Sequence, residues 1–158
     1  MFKNLIGILI FILGVLLSLN SYANYVIVDF SLPSTKKRLF IYNNNNKLLL
    51  STYVAHGIAS GDGIYATRFS NVFGSKASSL GAYKVNEVYY GKHGKVYRVT
   101  GLDMSNSNAY MRYIEIHGAG YIGHGKTGHS FGCFAVPFSA MPYIFKFLKP
   151  GDKLIAKD

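Results

Sequence analysis

Helical periodicity is confined to one short stretch of this 158-residue chain, and that restriction does most to limit the folds open to it. Met141, Ile144, Phe145 and Leu148 recur at helical spacing, with Ser139 at the N-cap position, Pro142 in the first turn and Pro150-Gly151 as the stop. Elsewhere the apolar residues fall in short β-branched and aromatic runs. Tyr25 to Phe30 is one; Arg38 to Tyr42 and Leu48 to Ala55 read as a hairpin across Asn43-Asn44-Asn45-Asn46, since Asn tolerates positive φ. Tyr83 to Tyr90 and Val96 to Thr100 form a second pair across Gly91-Lys92-His93-Gly94, and Leu154 to Ala156 fits a closing strand. No repeat of fixed period, no GxGxxG and no phosphate-cradling loop is present. A mainly β domain with one or two short helices is expected.

The amino terminus does not belong to that domain. Lys3 precedes an uncharged apolar run from Leu5 to Leu17 and a polar stretch ending Ser21-Tyr22-Ala23, the pattern of a secretory signal peptide with a small-x-small cleavage site. At 1.5 Å per residue so short a helix does not span a hydrocarbon core of roughly 30 Å, so a transmembrane anchor is the weaker reading. The expectation is a leader over residues 1–23, a single domain over 24–158, and a protein exported to the periplasm, cell wall or medium, not stably inserted in the membrane once cleaved. A retained anchor would also leave residue 24 onward outside the cytoplasm.

Removing residues 1–23 takes away only Lys3 among the charged side chains, so the formal net charge falls from +10 to +9 over 135 residues. Such a basic protein is drawn to polyanions, which outside the cytoplasm means wall polymers, anionic lipid surfaces or nucleic acid. Nucleic acid is not expected: zinc-finger spacing and RNA-binding signatures are missing, and the only dense basic run is Lys36-Lys37-Arg38. A monomer is expected.

Two features then need a functional explanation. His56 to Leu80 is rich in Gly and Ser and longer than ordinary connections in a compact domain. The chain also carries one cysteine, Cys133, which cannot form an intramolecular disulfide in an oxidising compartment.

Arg112 to His117 alternates cleanly, with Ile114 and Ile116 on one face and Tyr113, Glu115 and His117 on the other. A strand-end His117-Gly118 is followed, after fourteen residues, by Cys133, which Ser130-Phe131-Gly132 immediately precedes. A thiol must lose its proton to attack a carbonyl, and an imidazole within reach takes that proton and stabilises the thiolate. Gly132 would let the backbone turn sharply and aim the N–H groups of Gly132 and Cys133 at a developing oxyanion. A backbone carbonyl, expected to be that of Gly118 with Asp103 as second choice, would fix the histidine tautomer. Glu115 is not expected to partner His117, because same-face neighbours on a strand stand about 7 Å apart, and it reads as an exposed charge or a contact to Lys or Arg.

His117-Gly118 followed by Ser130-x-Gly132-Cys133 resembles the signature of the YkuD-type L,D-transpeptidases. The resemblance is nearer to the murein L,D-transpeptidase catalytic domain family, a divergent branch, through Arg68-Phe69-Ser70-Asn71, Ser78-Ser79-Leu80-Gly81, Gly91-Lys92-His93-Gly94 and Gly101-Leu102 in the same order. It covers roughly Ala55 to Pro137. It implies mixed β-sheets or a sandwich around a catalytic cleft, with no cofactor and no metal. It also implies a cysteine that attacks the diaminopimelate carbonyl of a peptidoglycan stem peptide, releases D-alanine and passes the acyl group to an amine. By carry-over Cys133 is the nucleophile, His117 the base, Gly118 its orienting backbone, and Ser130 and Gly132 the rim of the nucleophile loop. Asn71, Ser79, His93 and His129 are the candidate substrate contacts. Commoner members carry His where this chain has Phe131 and Arg where it has Ala135, while the divergent branch has an aromatic residue and Ala. Lys126, Arg112 and Arg98 are candidates for the displaced positive charge.

Other readings fit the same residues. Water as acceptor would make the enzyme an L,D-carboxypeptidase or hydrolase with the same dyad, and loss of activity would leave a wall-binding domain. A zinc site from His117, His124, His129 and Cys133 is disfavoured, because spacings of 7, 5 and 4 match no common ligand pattern and a bound thiolate would be unavailable for attack.

Overall fold

A computed structural model describes residues 23–158, so the expected leader, Ala23 apart, lies outside the described residues. Eight strands form one mixed sheet in the order β3-β2-β1-β10-β4-β5-β6-β9. In chain order these are β1 (Tyr25–Asp29), β2 (Leu39–Tyr42), β3 (Leu48–Thr52), β4 (Gly81–Gly91), β5 (Gly94–Gly101), β6 (Glu115–Ala119), β9 (Phe134–Pro137) and β10 (Lys153–Lys157). Between β6 and β9 lies a two-stranded ribbon of β7 (Ile122–Gly123) and β8 (Lys126–Thr127). Pairing is parallel for β1 with β10 and for β6 with β9, and antiparallel elsewhere. Among the described residues no helix is long and apolar enough to cross a membrane.

Both expected hairpins are present. β2 and β3 join through the asparagine turn, where Asn46 takes φ 59°. β4 and β5 join through a tight turn at Lys92-His93, and a register shift between Val85 and Val88 bends this long ribbon. The helix α1 spans Met141–Phe147 with Pro in its first turn. It begins later than Ser139 suggests: residues Phe138–Ala140 form a 3₁₀ turn, and Ala140 is the N-cap with no side-chain cap. The 3₁₀ turn supplies the entry that a capping hydroxyl would otherwise provide.

Two further differences bear on the site. The strand expected from Arg112 begins only at Glu115, because Tyr113 adopts φ 57°, a left-handed conformation that ends pairing. β9 was not foreseen, since Phe134–Pro137 is four residues long and buried throughout, and so shows no alternation.

The pleat of β6 and β9 separates two environments. Ile114, Ile116, Phe134 and Val136 enter the main core with Val26, Leu39, Tyr83 and Leu154, and each such aliphatic side chain contributes about 1.5–3 kcal/mol when fully buried. On the opposite face Ala119 and Ala135 join Ala55 and Ile122 in a small apolar cluster. Glu115, His117 and Cys133 emerge beside that cluster in an open cleft.

Candidate active site

The cleft has a volume of about 640 Å³, and its lining includes Cys133, His117, His93, Glu115, Arg112 and Tyr113. His117 stands in the middle of β6, across from Ala135 of β9, and is 1% exposed. Its Nδ1 lies 3.0 Å from the Gly118 carbonyl. A carbonyl only accepts, so Nδ1 carries the proton and Nε2 keeps its lone pair. A Cβ at Gly118 would sit 2.6 Å from the ring of Phe138, which would have to shift to admit it. The ring of His93, at the tip of the β4–β5 hairpin, stacks on His117 with centroids 4.0 Å apart and planes 11° from parallel. Burial, reinforced by His93 and Lys92 and opposed by the Gly118 hydrogen bond, pushes the His117 pKa down to about 4. At neutral pH it is an unprotonated base.

Cys133 is half-buried, and its Sγ donates to the Tyr113 carbonyl at 3.5 Å. The β6–β9 register begins at Ile116 opposite Phe134, which leaves Glu115 beside Cys133 one residue earlier. Burial pushes the thiol up to about 11, opposed by a hydrogen bond from the Glu115 backbone N–H and by the charges of Lys92 and Arg112, while the Glu115 carboxylate acts with burial. The resting cleft therefore holds a neutral thiol and a neutral imidazole.

The nucleophile loop differs from expectation in one respect. Gly132 takes φ 114°, and a Cβ there would lie 2.7 Å from the Ala77 carbonyl, so the position demands glycine. Its N–H, however, donates to Ser130 Oγ at 3.1 Å, and that hydroxyl in turn donates to the Cys133 carbonyl at 2.7 Å. Ser130 closes the loop on itself, and Gly132 does not aim its N–H at the cleft.

Arg112 holds the loop from below. Its guanidinium donates to the carbonyls of Ser70 (3.0 Å) and Ala77 (2.7 Å) and to Ser75 Oγ (3.1 Å). Of the three candidate cations it is the one that lines the cleft. Lys126 donates to the Gly120 carbonyl at 2.7 Å, and Arg98 is enclosed by the rings of Tyr110, Tyr113 and Tyr89. Ala135 packs in the small cluster, while Phe131 is 63% exposed with Lys76 over its ring.

The long loop is tied to the sheet by a buried pair, Arg38 and His56, that no motif or periodicity marks. Arg38, the last residue of the Lys36-Lys37-Arg38 run, is fully buried and donates to the Val54 and Leu32 carbonyls and to Nδ1 of His56, the last at 2.9 Å. A guanidinium only donates, so His56 accepts at Nδ1 and donates from Nε2 to the Gly61 carbonyl at 3.2 Å. Burial and the neighbouring Arg38 push the His56 pKa down to about 4.

The remaining predicted residues divide. His129 lines the cleft, donates to the Gly63 carbonyl at 3.0 Å and meets His56 edge-on. Asn71 and Ser79 do not line the cleft. Asn71 braces the loop against the segment 104–108, bonding the Met104 carbonyl, Ser107 Oγ and Asn108 N–H at 3.0 Å each. Ser79 is buried against the Tyr83 hydroxyl at 2.8 Å. Their polar atoms are used internally. Glu115, expected as an exposed charge or a contact to Lys or Arg, is 6% exposed, lines the cleft and stands across from Arg98 of β5, whose charge and that of Lys92 act on it. The histidines and Cys133 are not gathered for zinc: no three His, Cys, Asp or Glu side chains among the described residues are placed to share a metal ion.

Residues 17–156 match the family model described as the L,D-transpeptidase catalytic domain. Similar solved structures include an L,D-transpeptidase from Mycobacterium smegmatis (12% identity, TM-score 0.56, covering 87% of this chain and 59% of that one). They also include the helical cell shape determining protein Pgp2 from Campylobacter jejuni (12%, 0.58, 88% and 49%). A third is L,D-transpeptidase 3 from Mycobacterium tuberculosis in complex with a faropenem-derived adduct (11%, 0.56, 87% and 61%). The chain thus spans between 49% and 61% of the length of these three chains, and the likeness is one of fold. No curated protein matches the sequence at a significant level.

Proposed function

The chain belongs to the L,D-transpeptidase catalytic domain family, and from that premise we propose that it is an exported acyltransferase acting on peptidoglycan stem peptides through a Cys133 thioester. The observation that carries this reading is the joint placement, on one cleft, of the only thiol and a histidine whose Nδ1–H is fixed on the Gly118 carbonyl. That tautomer leaves Nε2 free to take a proton, and Cys133 is the side chain on this wall with a proton whose loss creates a nucleophile.

In the proposed sequence the Sγ proton leaves the Tyr113 carbonyl for His117 Nε2 as sulfur attacks the diaminopimelate carbonyl. Because the resting pair is neutral, proton transfer and attack proceed together. The Glu115 N–H steadies the sulfur while it carries charge. We assign the Cys133 N–H to the oxyanion, since Gly132 has given its own to Ser130. Collapse breaks the bond to D-alanine, whose nitrogen takes the proton from His117, and leaves a thioester. An amine of a second stem then attacks, forming the new amide and returning the proton through His117 to sulfur.

Product analysis with a defined disaccharide-tetrapeptide tests this. Released D-alanine together with a cross-linked dimer is expected from the native protein and neither from Cys133→Ala. Equal turnover by the two proteins would overturn the reading.

A further inference from the structure

The cleft contains one carboxylate, and no cation among the described residues forms an ion pair with it. Among the cleft-lining residues only Glu115 is acidic, yet it makes no ion pair among the described residues. Arg98, across from it on β5, is held in its tyrosine cage and spends its Nη2 on the Tyr110 carbonyl at 2.6 Å. Lys92 and Arg112 also line the cleft, but Arg112 is committed to the long loop. Burial works against the Glu115 charge, Arg98 and Lys92 favour it without pairing with it, and a carboxylate so placed, open to a substrate cleft, suits a cation that arrives with the ligand. Glu115 shares the face of β6 with His117 and neighbours Cys133 across the strands, so that cation would lie beside the reacting sulfur.

We infer that Glu115 is the amine-recognition residue of this cleft, holding the ammonium group of the acyl acceptor beside the Cys133 thioester. This rests on the acyltransferase reading above and sharpens it, because an ammonium pairs with Glu115 and is held there, whereas a neutral water molecule is not. The protons balance. Glu115 accepts the first proton of the ammonium, giving a neutral amine. The nitrogen forms its bond to the acyl carbon, and its second proton passes to His117 and on to the departing sulfur as the C–S bond breaks. Glu115 then returns its proton to solvent. The assignment makes the protein a transpeptidase rather than a carboxypeptidase.

The test measures how one acyl-enzyme partitions between amine and water. The donor is a tetrapeptide, the acceptor a tetrapeptide with a free side-chain amine, and an acceptor with that amine acetylated is the control. Because transfer and hydrolysis are counted from the same thioester, the ratio is independent of how fast it forms. Glu115→Gln is expected to lower the ratio about 10- to 100-fold, the worth of a charge-assisted hydrogen bond, with Glu115→Asp falling between it and the native protein. With the acetylated acceptor no transfer product is expected from any of the proteins, because the amide nitrogen is not a nucleophile, and this sets the zero of the ratio. An unchanged ratio in Glu115→Gln would overturn the inference while leaving the thioester intact. Equal losses in Glu115→Gln and Glu115→Asp would show a structural role and overturn it too. Absence of any thioester in the native protein would remove the acyltransferase reading and this inference with it.

Discussion

Two buried histidines, His56 and His117, share nearly every property that burial confers, and they differ in one hydrogen bond. Both are almost fully enclosed, and both are driven to a pKa of about 4. Around His56 each ring nitrogen has a protein partner, Arg38 on one side and the Gly61 carbonyl on the other. Around His117 the Gly118 carbonyl takes Nδ1, and Nε2 has no hydrogen-bond partner among the described residues, on a ring that lines the same cleft as Cys133. The first arrangement fixes a loop to the sheet; the second leaves a base without a proton to give. A depressed imidazole pKa is therefore no mark of catalysis by itself.

The comparison predicts opposite phenotypes. His117→Gln should reduce acylation of Cys133 by about 10²- to 10⁴-fold, the usual contribution of a general base, with a melting temperature close to that of the native protein. His56→Leu should do the reverse. It strands a buried guanidinium donor, a loss of about 2–4 kcal/mol in denaturant unfolding, while acylation persists wherever the protein is folded. If His56→Leu abolished acylation in the folded state, the division between the two sites would be wrong.

Acid should weaken the fold through both rings. Each stays neutral in the native protein down to about pH 4 but binds a proton near pH 6.5 when unfolded, so the unfolded state holds more protons between those values. Their contribution is complete above pH 6.5 and disappears as the pH falls to 4, by on the order of 3 kcal/mol per ring. Thermal melts across that range should show the decline, shallower in His56→Leu.

Smaller effects separate the nucleophile loop from the brace. Gly132→Ala forces an L side chain into a left-handed conformation against the Ala77 carbonyl, costing about 1–3 kcal/mol and slowing acylation as well. Asn71→Ala should cost about 1–2 kcal/mol by freeing three hydrogen bonds, with the KM for stem peptide unaltered, because Asn71 does not line the cleft.

Much of the fold was legible because strand runs and turn residues are local signals: both hairpins and β1 and β10 fall where pattern places them. The His117-Gly118 pair and the Ser130-x-Gly132-Cys133 loop were legible for the same reason, each being a compact motif. What escaped depends on tertiary structure. Burial of Arg38 follows from the closure of residues 32, 54 and 56 around it, which no periodicity records. Glu115 reads as an exposed charge or a contact to Lys or Arg, and its burial escapes that reading because alternation reports which face a residue shares and not what lies above that face. Asn71 and Ser79 sit in motif-like stretches, yet their polar groups answer to neighbours distant in sequence. The left-handed Tyr113, whose carbonyl receives the thiol, carries no sequence mark at all.

In the proposed reaction Cys133 is the nucleophile and His117 its base, and incubation with a carbapenem, followed by intact-mass measurement and peptide mapping, probes both. The prediction is a single adduct on Cys133, formed slowly in His117→Gln and absent from Cys133→Ser. No adduct on the native protein, or one that forms equally well without His117, would contradict it.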